Sequence, residues 1–293
     1  MTPALIKRLV KPLIDKAVFA SAGYEELKNA LIASSSELID FNKPIDSELD
    51  ERIRQIAEFV RPIGVKGATE VRVGREHDGG YVMHDFASSE FDGALSIGVG
   101  PDVSWDQDVV AKGLKVDLFD PTIRRMPSKV PGARFHRVGI GPIDSVNSNY
   151  LSLPKLRQIA GLDSATNIIL KIDVEGAEWS SLKNLPKDEL PRYAQIVIEM
   201  HNLGRIHETS LFTSILETLN ALSENHLVVH LHGNNYAPLN KYGNYWFPDA
   251  IEVTYVRKNS EQVLEAKSKV ASFLDSANCP TMLDFSLDGI LSL

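Results

Sequence analysis

An apolar strand that runs directly into an acidic turn constrains the fold of this chain more than any other feature. Residues 168–172, Ile-Ile-Leu-Lys-Ile, are almost continuously apolar, which is typical of a parallel strand covered on both faces. Asp173, Glu175 and Glu178 follow where that strand must end. Open α/β sheets bind ligands beyond the carboxyl ends of their strands, so this turn is predicted to line a binding crevice. The alternative is an ordinary helix start, where the helix dipole favours carboxylates.

Strand and helix patterns alternate through the rest of the chain. Strand patterns cover 94–99, 116–119, 135–140, 168–173 and 195–200, and helical spacing covers 104–112, 179–185 and 211–222. Two later strand patterns, 226–232 and 250–257, are joined by a loop without a helix and are therefore expected to be antiparallel. The sequence predicts an α/β fold with a doubly wound, Rossmann-like sheet and an antiparallel final strand.

The beginning of the chain is predicted to be a helical extension. Apolar residues have helical spacing over 24–33 and 47–60, and Arg61-Pro62 ends the second run. We therefore divide the chain into a helical extension, 1–60, and a main domain, 61–293. At the start of the main domain, strand patterns on both sides of residues 77–80, His-Asp-Gly-Gly, predict a hairpin.

Composition limits the possible partners. The 293 residues carry a formal net charge of -8, which argues against nucleic-acid binding because phosphates require clustered Lys and Arg. The single cysteine, Cys279, cannot form an internal disulfide and agrees with a cytoplasmic location. Basic and apolar residues are interleaved over 5–16, a pattern that favours helix packing or homo-oligomer formation over contact with an anionic membrane.

A strand-turn-helix pattern predicts a nucleoside cofactor. The strand that starts at residue 94 runs into Gly98 and Gly100, which let the backbone approach a ligand closely. Asp120 ends the next strand, a position from which an acid accepts hydrogen bonds from ribose hydroxyls. A dinucleotide fingerprint needs a third glycine where this chain has Val103. S-adenosylmethionine sites tolerate another residue there, so together with the antiparallel finish this methyl donor is favoured, and an NAD(P)-dependent oxidoreductase is the alternative enzyme.

The segment 171–178, Lys-Ile-Asp-Val-Glu-Gly-Ala-Glu, resembles the signature of the FkbM family of S-adenosylmethionine-dependent methyltransferases. A looser resemblance extends from about Val71 to Lys258. The resemblance implies a class I methyltransferase fold and O-methylation of a sugar, glycan or natural-product hydroxyl. A noncatalytic partner-binding protein that keeps this fold is a further alternative.

The resemblance also implies roles for individual residues. Those expected to bind the donor are Gly98 and Gly100 at its methionine side, Asp120 at its ribose, Gly139 and Ile140 near its adenine, and Asp102 at the border of the same pocket. Arg75, Asp78 and Tyr81, in a segment similar to a motif of related methyltransferases, are expected to close over the ligands. From the residues themselves, Glu175 in the acidic turn and Asn234 and Asn235 in a polar-aromatic loop are expected to contact the acceptor.

Polar side chains at neighbouring strand ends are the candidates for activating the acceptor. A protonated alcohol is a poor nucleophile and needs a base or a metal ion. In one version, Asp173, Glu199 and His201 bind a divalent ion such as Mg²⁺. A softer ion held by Asp173, His201 and His232 is a variant of that version. In the metal-free version, His201 or His232 is the general base.

Overall fold

The computed structural model describes residues 46–144, 148–242, 245–267 and 269–288. The α-helices are α1 (Ser47–Phe59), α2 (Ser104–Ala111), α3 (Leu153–Ile159), α4 (Glu178–Leu182) and α5 (Thr209–Asn225). The strands are β1 (Ile63–Val65), β2 (Glu70–Val73), β3 (Tyr81–His84), β4 (Gly93–Ile97), β5 (Val116–Phe119), β6 (Ala133–His136), β7 (Gly139–Ile140), β8 (Tyr150–Leu151), β9 (Ile168–Ile172), β10 (Tyr193–Met200), β11 (His226–Gly233), β12 (Leu239–Tyr242), β13 (Tyr245–Pro248), β14 (Ile251–Arg257) and β15 (Leu264–Ala266).

A seven-stranded sheet forms the centre of the fold, in the order β11-β14-β10-β9-β4-β5-β6. The strands from β10 to β6 are parallel, and β14 is antiparallel to both of its neighbours, β10 and β11. The last strand of this sheet along the chain is thus inserted between the two that precede it. The predicted α/β sheet and the antiparallel pairing of the final strands are confirmed.

The parallel strands are buried, as their apolar sequences predict. Every residue of β4, β5 and β9 is buried.

The predicted hairpin is also confirmed, because β2 pairs with β3 in antiparallel register. Tyr81 and Met83 of this hairpin share one hydrophobic cluster with Trp105 of α2 and with Leu118 of β5. The hairpin loop is therefore held close to the carboxyl ends of the strands.

α1 is the part of the predicted N-terminal extension that the structure describes. The side chain of Asp46 caps its first turn. The buried guanidinium of Arg52 donates to the carbonyl oxygen of Ile206 at 2.8 Å and lies over the Phe212 ring, so α1 packs against the start of α5. The predicted helix over 24–33 lies outside the described residues, and the boundary at residue 60 stays a prediction.

The strand predicted over 135–140 is wrong in its extent, because the chain bends in the middle of it. β6 ends at His136, and β7 pairs in parallel with β8 in a separate two-stranded sheet. The bend is closed by the Val138 amide, which donates to the His136 carbonyl oxygen at 2.8 Å. Gly139 lies against Pro121, just beyond β5.

None of the helices in the described residues has the length and apolar character that a bilayer span requires.

Candidate functional site

A cavity of about 760 Å³ lies at the carboxyl ends of β4, β5, β9 and β10. Parallel sheets of this kind bind ligands at that edge. The structure brings most of the residues proposed from the sequence together in the wall of this cavity. They are Arg75, Asp78, Tyr81, Gly98, Gly100, Asp102, Asp120, Gly139, Ile140, Asp173, Glu175, Glu199, His201 and Asn234. The wall does not include His232 or Asn235.

Gly98 and Gly100 form the tight turn after β4. Their φ angles of 82° and 58° lie in the left-handed region, which favours glycine. A Cβ at Gly98 would come within 1.6 Å of the carbonyl oxygen of Asp173, so the ends of β4 and β9 approach each other closely. A Cβ at Gly100 would have no heavy atom within 4 Å. Packing therefore requires glycine at position 98, whereas Gly100 leaves open space at the cavity wall.

Asp120 is buried beneath this turn and shapes it. Its Oδ2 accepts hydrogen bonds from the amides of Val99 and Gly100 at 3.0 and 3.1 Å. Its Oδ1 accepts from the amide and the hydroxyl of Thr122 at 2.7 and 2.6 Å. Burial raises the pKa of Asp120, but the hydrogen bonds from Thr122, Gly100 and Val99 outweigh it and leave the pKa lowered. The carboxylate is therefore ionised; its Oδ2 holds the glycine turn in place and its Oδ1 is anchored by Thr122.

The wall beyond β5 combines a close backbone approach with an aromatic surface. A Cβ at Gly139 would lie 2.8 Å from both the Pro121 side chain and the Tyr150 ring. Tyr150 lines the cavity and is half exposed, and Ile140 beside it is buried. An exposed ring next to an apolar side chain suits the stacking of a planar base.

The hairpin loop is fastened to the side of the cavity next to the Gly98–Gly100 turn. Nη1 of Arg75 lies 3.4 Å from Oδ2 of Asp102, and Nε of Arg75 donates to the carbonyl oxygen of Asp78 at 2.8 Å. Burial raises the pKa of Asp78, and the nearby charge of Asp173 raises it further. The loop therefore brings both a cation and a partly buried acid to the rim.

The three predicted metal ligands meet where β9 and β10 end. One ligand atom from each of Asp173, Glu199 and His201, named here the acid–imidazole cluster, lies within 4.8 Å of the others. Nε2 of His201 is 3.4 Å from Oε1 of Glu199 and 3.8 Å from Oδ1 of Asp173. Neighbouring oxygen ligands of an octahedral ion bound at about 2.1 Å are about 3 Å apart. Both distances from His201 are somewhat longer than this, so the three side chains are near one another but wider apart than the ligands of a filled site.

The turn that follows β9 is held in an uncommon backbone conformation. Glu175 and Gly176 both have positive φ, 54° and 103°, and a Cβ at Gly176 would lie 2.3 Å from Nδ2 of Asn202. A left-handed non-glycine residue costs on the order of 1–3 kcal/mol and is most often found at functional sites. The turn places Oε2 of the exposed Glu175 side chain 3.6 Å from Nε2 of His201.

Glu178 is fully buried and contacts both the backbone and the ring of His201. Its Oε1 accepts from the His201 amide at 2.8 Å and lies 3.3 Å from Nδ1 of the ring. Its Oε2 accepts from the Gly176 amide at 2.8 Å. Sequence reasoning treats Glu178 as a helix-terminus charge and misses these contacts, because tertiary structure alone brings His201 to it. The available signal was a further acid five residues after Asp173, at the start of the short helix α4.

The pKa values in the cluster reflect its crowding. Burial, followed by the charges of Asp173 and Glu252, raises the pKa of Glu199 to about 7. Burial lowers the pKa of His201, but its hydrogen bonds to Glu178 and Glu199 dominate and raise it to about 11. Without a bound ion, His201 is therefore protonated at neutral pH and cannot accept a proton. Nδ2 of Asn234 donates to Oε1 of Glu199 at 2.6 Å and fixes that carboxylate.

His232 and Asn235 lie outside the cavity wall and hold the C-terminal segment instead. Nδ1 of His232 is 3.2 Å from Oε2 of Glu252, and its Nε2 is 3.1 Å from Asp284. Nδ2 of Asn235 donates to the carbonyl oxygens of Cys279 and Leu283 at 3.2 and 3.1 Å. The structure therefore does not place His232 where a general base or a metal ligand must lie, nor Asn235 where it meets the acceptor.

The cavity wall is strongly acidic. Its acidic side chains are Asp78, Asp102, Asp106, Asp120, Asp173, Glu175, Glu199 and Asp249. Among the described residues, the basic ones in the wall are Arg75, Lys171 and His201. Arg75 is paired with Asp102, and Nζ of Lys171 donates to the carbonyl oxygen of Gly98 at 3.0 Å. Such a wall favours a cationic ligand over an anionic one.

No protein-family model matches the chain and no curated protein matches it, so its function is inferred from the fold and the site.

Proposed function

We propose that this chain is an S-adenosylmethionine-dependent O-methyltransferase that uses a divalent cation to activate a hydroxyl of a sugar, glycan or natural product. One observation carries the proposal: a single cavity joins the Gly98–Gly100 turn and Asp120 to the acid–imidazole cluster. The first part suits a nucleoside donor, and the second suits an acceptor hydroxyl beside a cation. The sugar or natural-product acceptor follows from the resemblance of residues 171–178 to the FkbM signature.

The strand order supports a methyl donor over a dinucleotide. Numbered along the chain, the central sheet runs 3-2-1-4-5-7-6, with the antiparallel seventh strand inserted beside the fifth. A doubly wound sheet with an antiparallel last strand is expected of class I methyltransferases. The dinucleotide-binding order is 3-2-1-4-5-6.

The charge of the cavity supports the same choice. S-adenosylmethionine carries a positive sulfonium, whereas NAD(P) carries a pyrophosphate that needs positive charge or free amides at a helix start. In this wall the amides of Val99 and Gly100 already donate to Asp120. An anionic pyrophosphate would therefore meet acidic groups and occupied donors.

The cluster fits a divalent cation through its donor set and its charge. Asp173, Glu199 and Nε2 of His201 would hold the ion, and two carboxylates offset its charge. Such an ion, when bound, acts as a Lewis acid that lowers the pKa of the acceptor hydroxyl. The alternative with a histidine base is disfavoured because the pKa of His201 is raised to about 11 and that of His232 to about 10.

The protein itself contributes mainly positioning. Methyl transfer is an in-line displacement in which the acceptor oxygen bonds to the methyl carbon as the sulfur leaves, and the oxygen loses its proton. Most of the rate gain comes from holding these atoms in line. Asp120 fixes the turn on the donor side, and Asn234 fixes Glu199 on the acceptor side. Glu175 and Asp78, which line the same cavity, would accept hydrogen bonds from other acceptor hydroxyls.

Calorimetry with S-adenosylhomocysteine and with NAD, followed by mass spectrometry of products from a panel of glycans, tests the proposal. We expect binding of the first ligand alone and a mass gain of one methyl group in an acceptor. Asp173→Asn should keep donor binding and lose turnover by about 10²-fold or more. Asp188→Asn, at an exposed ion pair with Arg192, is the control and should leave both unchanged.

Three results would contradict parts of the proposal. Binding of NAD without S-adenosylhomocysteine would support the oxidoreductase instead. Tight donor binding with no methylated product would support a noncatalytic partner-binding protein. Activity that is indifferent to EDTA would remove the cation from the mechanism while leaving the methyltransferase.

A further inference from the structure

We propose that Glu178 presents Nε2 of His201 to the acid–imidazole cluster and thereby selects a first-row transition ion, such as Mn²⁺ or Co²⁺, over Mg²⁺. This inference rests on the proposed cation-assisted function. It assigns the class of ion and names a positioning residue that does not itself touch the ion.

The contacts of Glu178 restrict the orientation of the His201 ring. Oε1 accepts from the His201 amide at 2.8 Å and lies 3.3 Å from Nδ1, so the carboxylate contacts the backbone and the ring of the same residue. Nε1 of Trp179 donates to the His201 carbonyl oxygen at 2.8 Å, which fixes that backbone from the other side. With Nδ1 held by Glu178, Nε2 is the ring nitrogen that faces Asp173 and Glu199.

The burial of Glu178 shows that this arrangement is built into the fold. Its exposure is 0%, and its other oxygen accepts from the Gly176 amide at 2.8 Å. A buried carboxylate is tolerated when charged or hydrogen-bonding partners compensate the lost hydration. A carboxylate that accepts the remote N–H of a metal-binding imidazole sets its tautomer and raises its basicity.

The ligand set determines which ions bind more tightly because of the oriented imidazole. Mg²⁺ is a hard cation that prefers oxygen ligands and retains water, so it gains little from an imidazole. Imidazole nitrogen suits first-row transition ions, whose affinity for such sites rises from Mn²⁺ to Co²⁺ and beyond. A site of two carboxylates and one oriented imidazole is thus expected to prefer Mn²⁺ and Co²⁺. That preference should depend on Glu178.

Ion binding to full-length Glu178→Gln, measured by calorimetry with Mn²⁺, Co²⁺ and Mg²⁺ separately, tests this directly. The substitution keeps the volume of the side chain but removes its charge. We expect the affinities for Mn²⁺ and Co²⁺ to fall about 10- to 100-fold, the usual effect of losing such a partner. The Mg²⁺ affinity should change little, so the selectivity ratio itself falls.

Glu189→Gln is the matched control. Like Glu178, Glu189 is a buried carboxylate with hydrogen-bonding partners: it accepts from Arg157 and from the hydroxyl of Tyr193. It does not line the cavity. We expect this variant to lower thermal stability and to leave the ion selectivity unchanged. A general loss of stability therefore cannot imitate the result expected for Glu178→Gln.

A measurement on the unsubstituted protein covers the case in which Glu178→Gln does not fold. Proton NMR of the Co²⁺ complex should show one strongly shifted, slowly exchanging N–H signal from Nδ1 of His201, because the ion is at Nε2 and Glu178 shields Nδ1. Absence of this signal would overturn the inference.

The remaining outcomes separate the inference from the proposed function. Unchanged Mn²⁺ affinity in folded Glu178→Gln rejects the role of Glu178 but leaves cation-assisted methylation standing. A native protein that prefers Mg²⁺ rejects the assigned class of ion. A native protein that binds S-adenosylhomocysteine but no cation rejects both the inference and the cation, while the methyltransferase assignment survives.

Discussion

Alanine at Gly98, Gly100 and Gly161 is predicted to separate packing from donor binding. All three glycines have positive φ, so each substitution carries the same kind of backbone cost. They differ in surroundings. A Cβ at Gly98 meets the Asp173 carbonyl oxygen, one at Gly100 enters open space at the cavity wall, and one at Gly161 enters open space away from the cavity.

The size of each effect follows from these surroundings. A left-handed conformation costs a non-glycine residue roughly 1–2 kcal/mol, offset by about 0.4–1 kcal/mol from the restricted unfolded chain. Gly100→Ala and Gly161→Ala should therefore each lower the free energy of unfolding by about 1 kcal/mol. Gly98→Ala also forces β4 and β9 apart, because its Cβ would otherwise lie only 1.6 Å from the Asp173 carbonyl oxygen. This movement weakens the bonds from the Asp173 amide to Ile97 and from Lys171 to Gly98, for a total of about 3–5 kcal/mol.

Urea unfolding and calorimetry with S-adenosylhomocysteine measure the two effects separately. We expect Gly100→Ala to remain folded and to lose at least about tenfold in donor affinity, or 1.4 kcal/mol, because its methyl group enters the space assigned to the donor. Gly161→Ala should bind the donor normally. If Gly98→Ala lowers the free energy of unfolding no more than Gly100→Ala does, Gly98 is not packed closely against Asp173. If Gly100→Ala and Gly161→Ala bind equally well, the donor does not lie on the Gly98–Gly100 turn.

Three further predictions concern Asp120, His232 and the cation. Asp120→Asn should lower the free energy of unfolding by about 1–3 kcal/mol, because the amides of the turn lose a charged acceptor. Thr122→Val removes one hydroxyl hydrogen bond to Asp120 and should lower it by about 0.5–1.5 kcal/mol. Equal losses in urea unfolding would contradict this ranking. His232 has a folded pKa of about 10 against an unfolded value of about 6.5, so its stabilisation is full below pH 6.5 and lost as pH rises toward 10. The stability difference between the native protein and His232→Gln should shrink over that range, and a constant difference in urea unfolding would refute the ion pairs. Mn²⁺ at about 100 times its Kd should add about 2.7 kcal/mol to the stability of the native protein and none to Asp173→Asn, a shift that EDTA should reverse in thermal unfolding.

The sequence predicted the sheet well because its signals are local. Continuous apolar runs such as residues 168–172 identify buried parallel strands, and the missing helix between 232 and 250 predicts the antiparallel finish. The strand over 135–140 was drawn too long, since its apolar pattern does not reveal that the Val138 amide closes a bend onto His136.

The acid–imidazole cluster could be predicted because its residues lie at or just beyond strand ends. Asp173, Glu199 and His201 converge because parallel neighbours place their carboxyl ends at one edge of the sheet. His232 and Asn235 follow the same logic, yet Nε2 of His232 and Nδ2 of Asn235 have their partners in residues 269–288. That segment has no periodic pattern, so the sequence did not indicate that it covers the end of β11 and occupies both side chains.

A row of side chains across β10, β14 and β11 connects His232 to the site. Glu252 is the register partner of both Glu199 and His232, which places two buried carboxylates opposite each other. Like charges in that position are unfavourable, and the charge of Glu252 helps to raise the pKa of Glu199. His232 and Asn278 both hydrogen-bond to Glu252 and offset its charge. His232 thus acts on the cavity indirectly, through its ion pair with the Glu252 carboxylate that lies opposite Glu199.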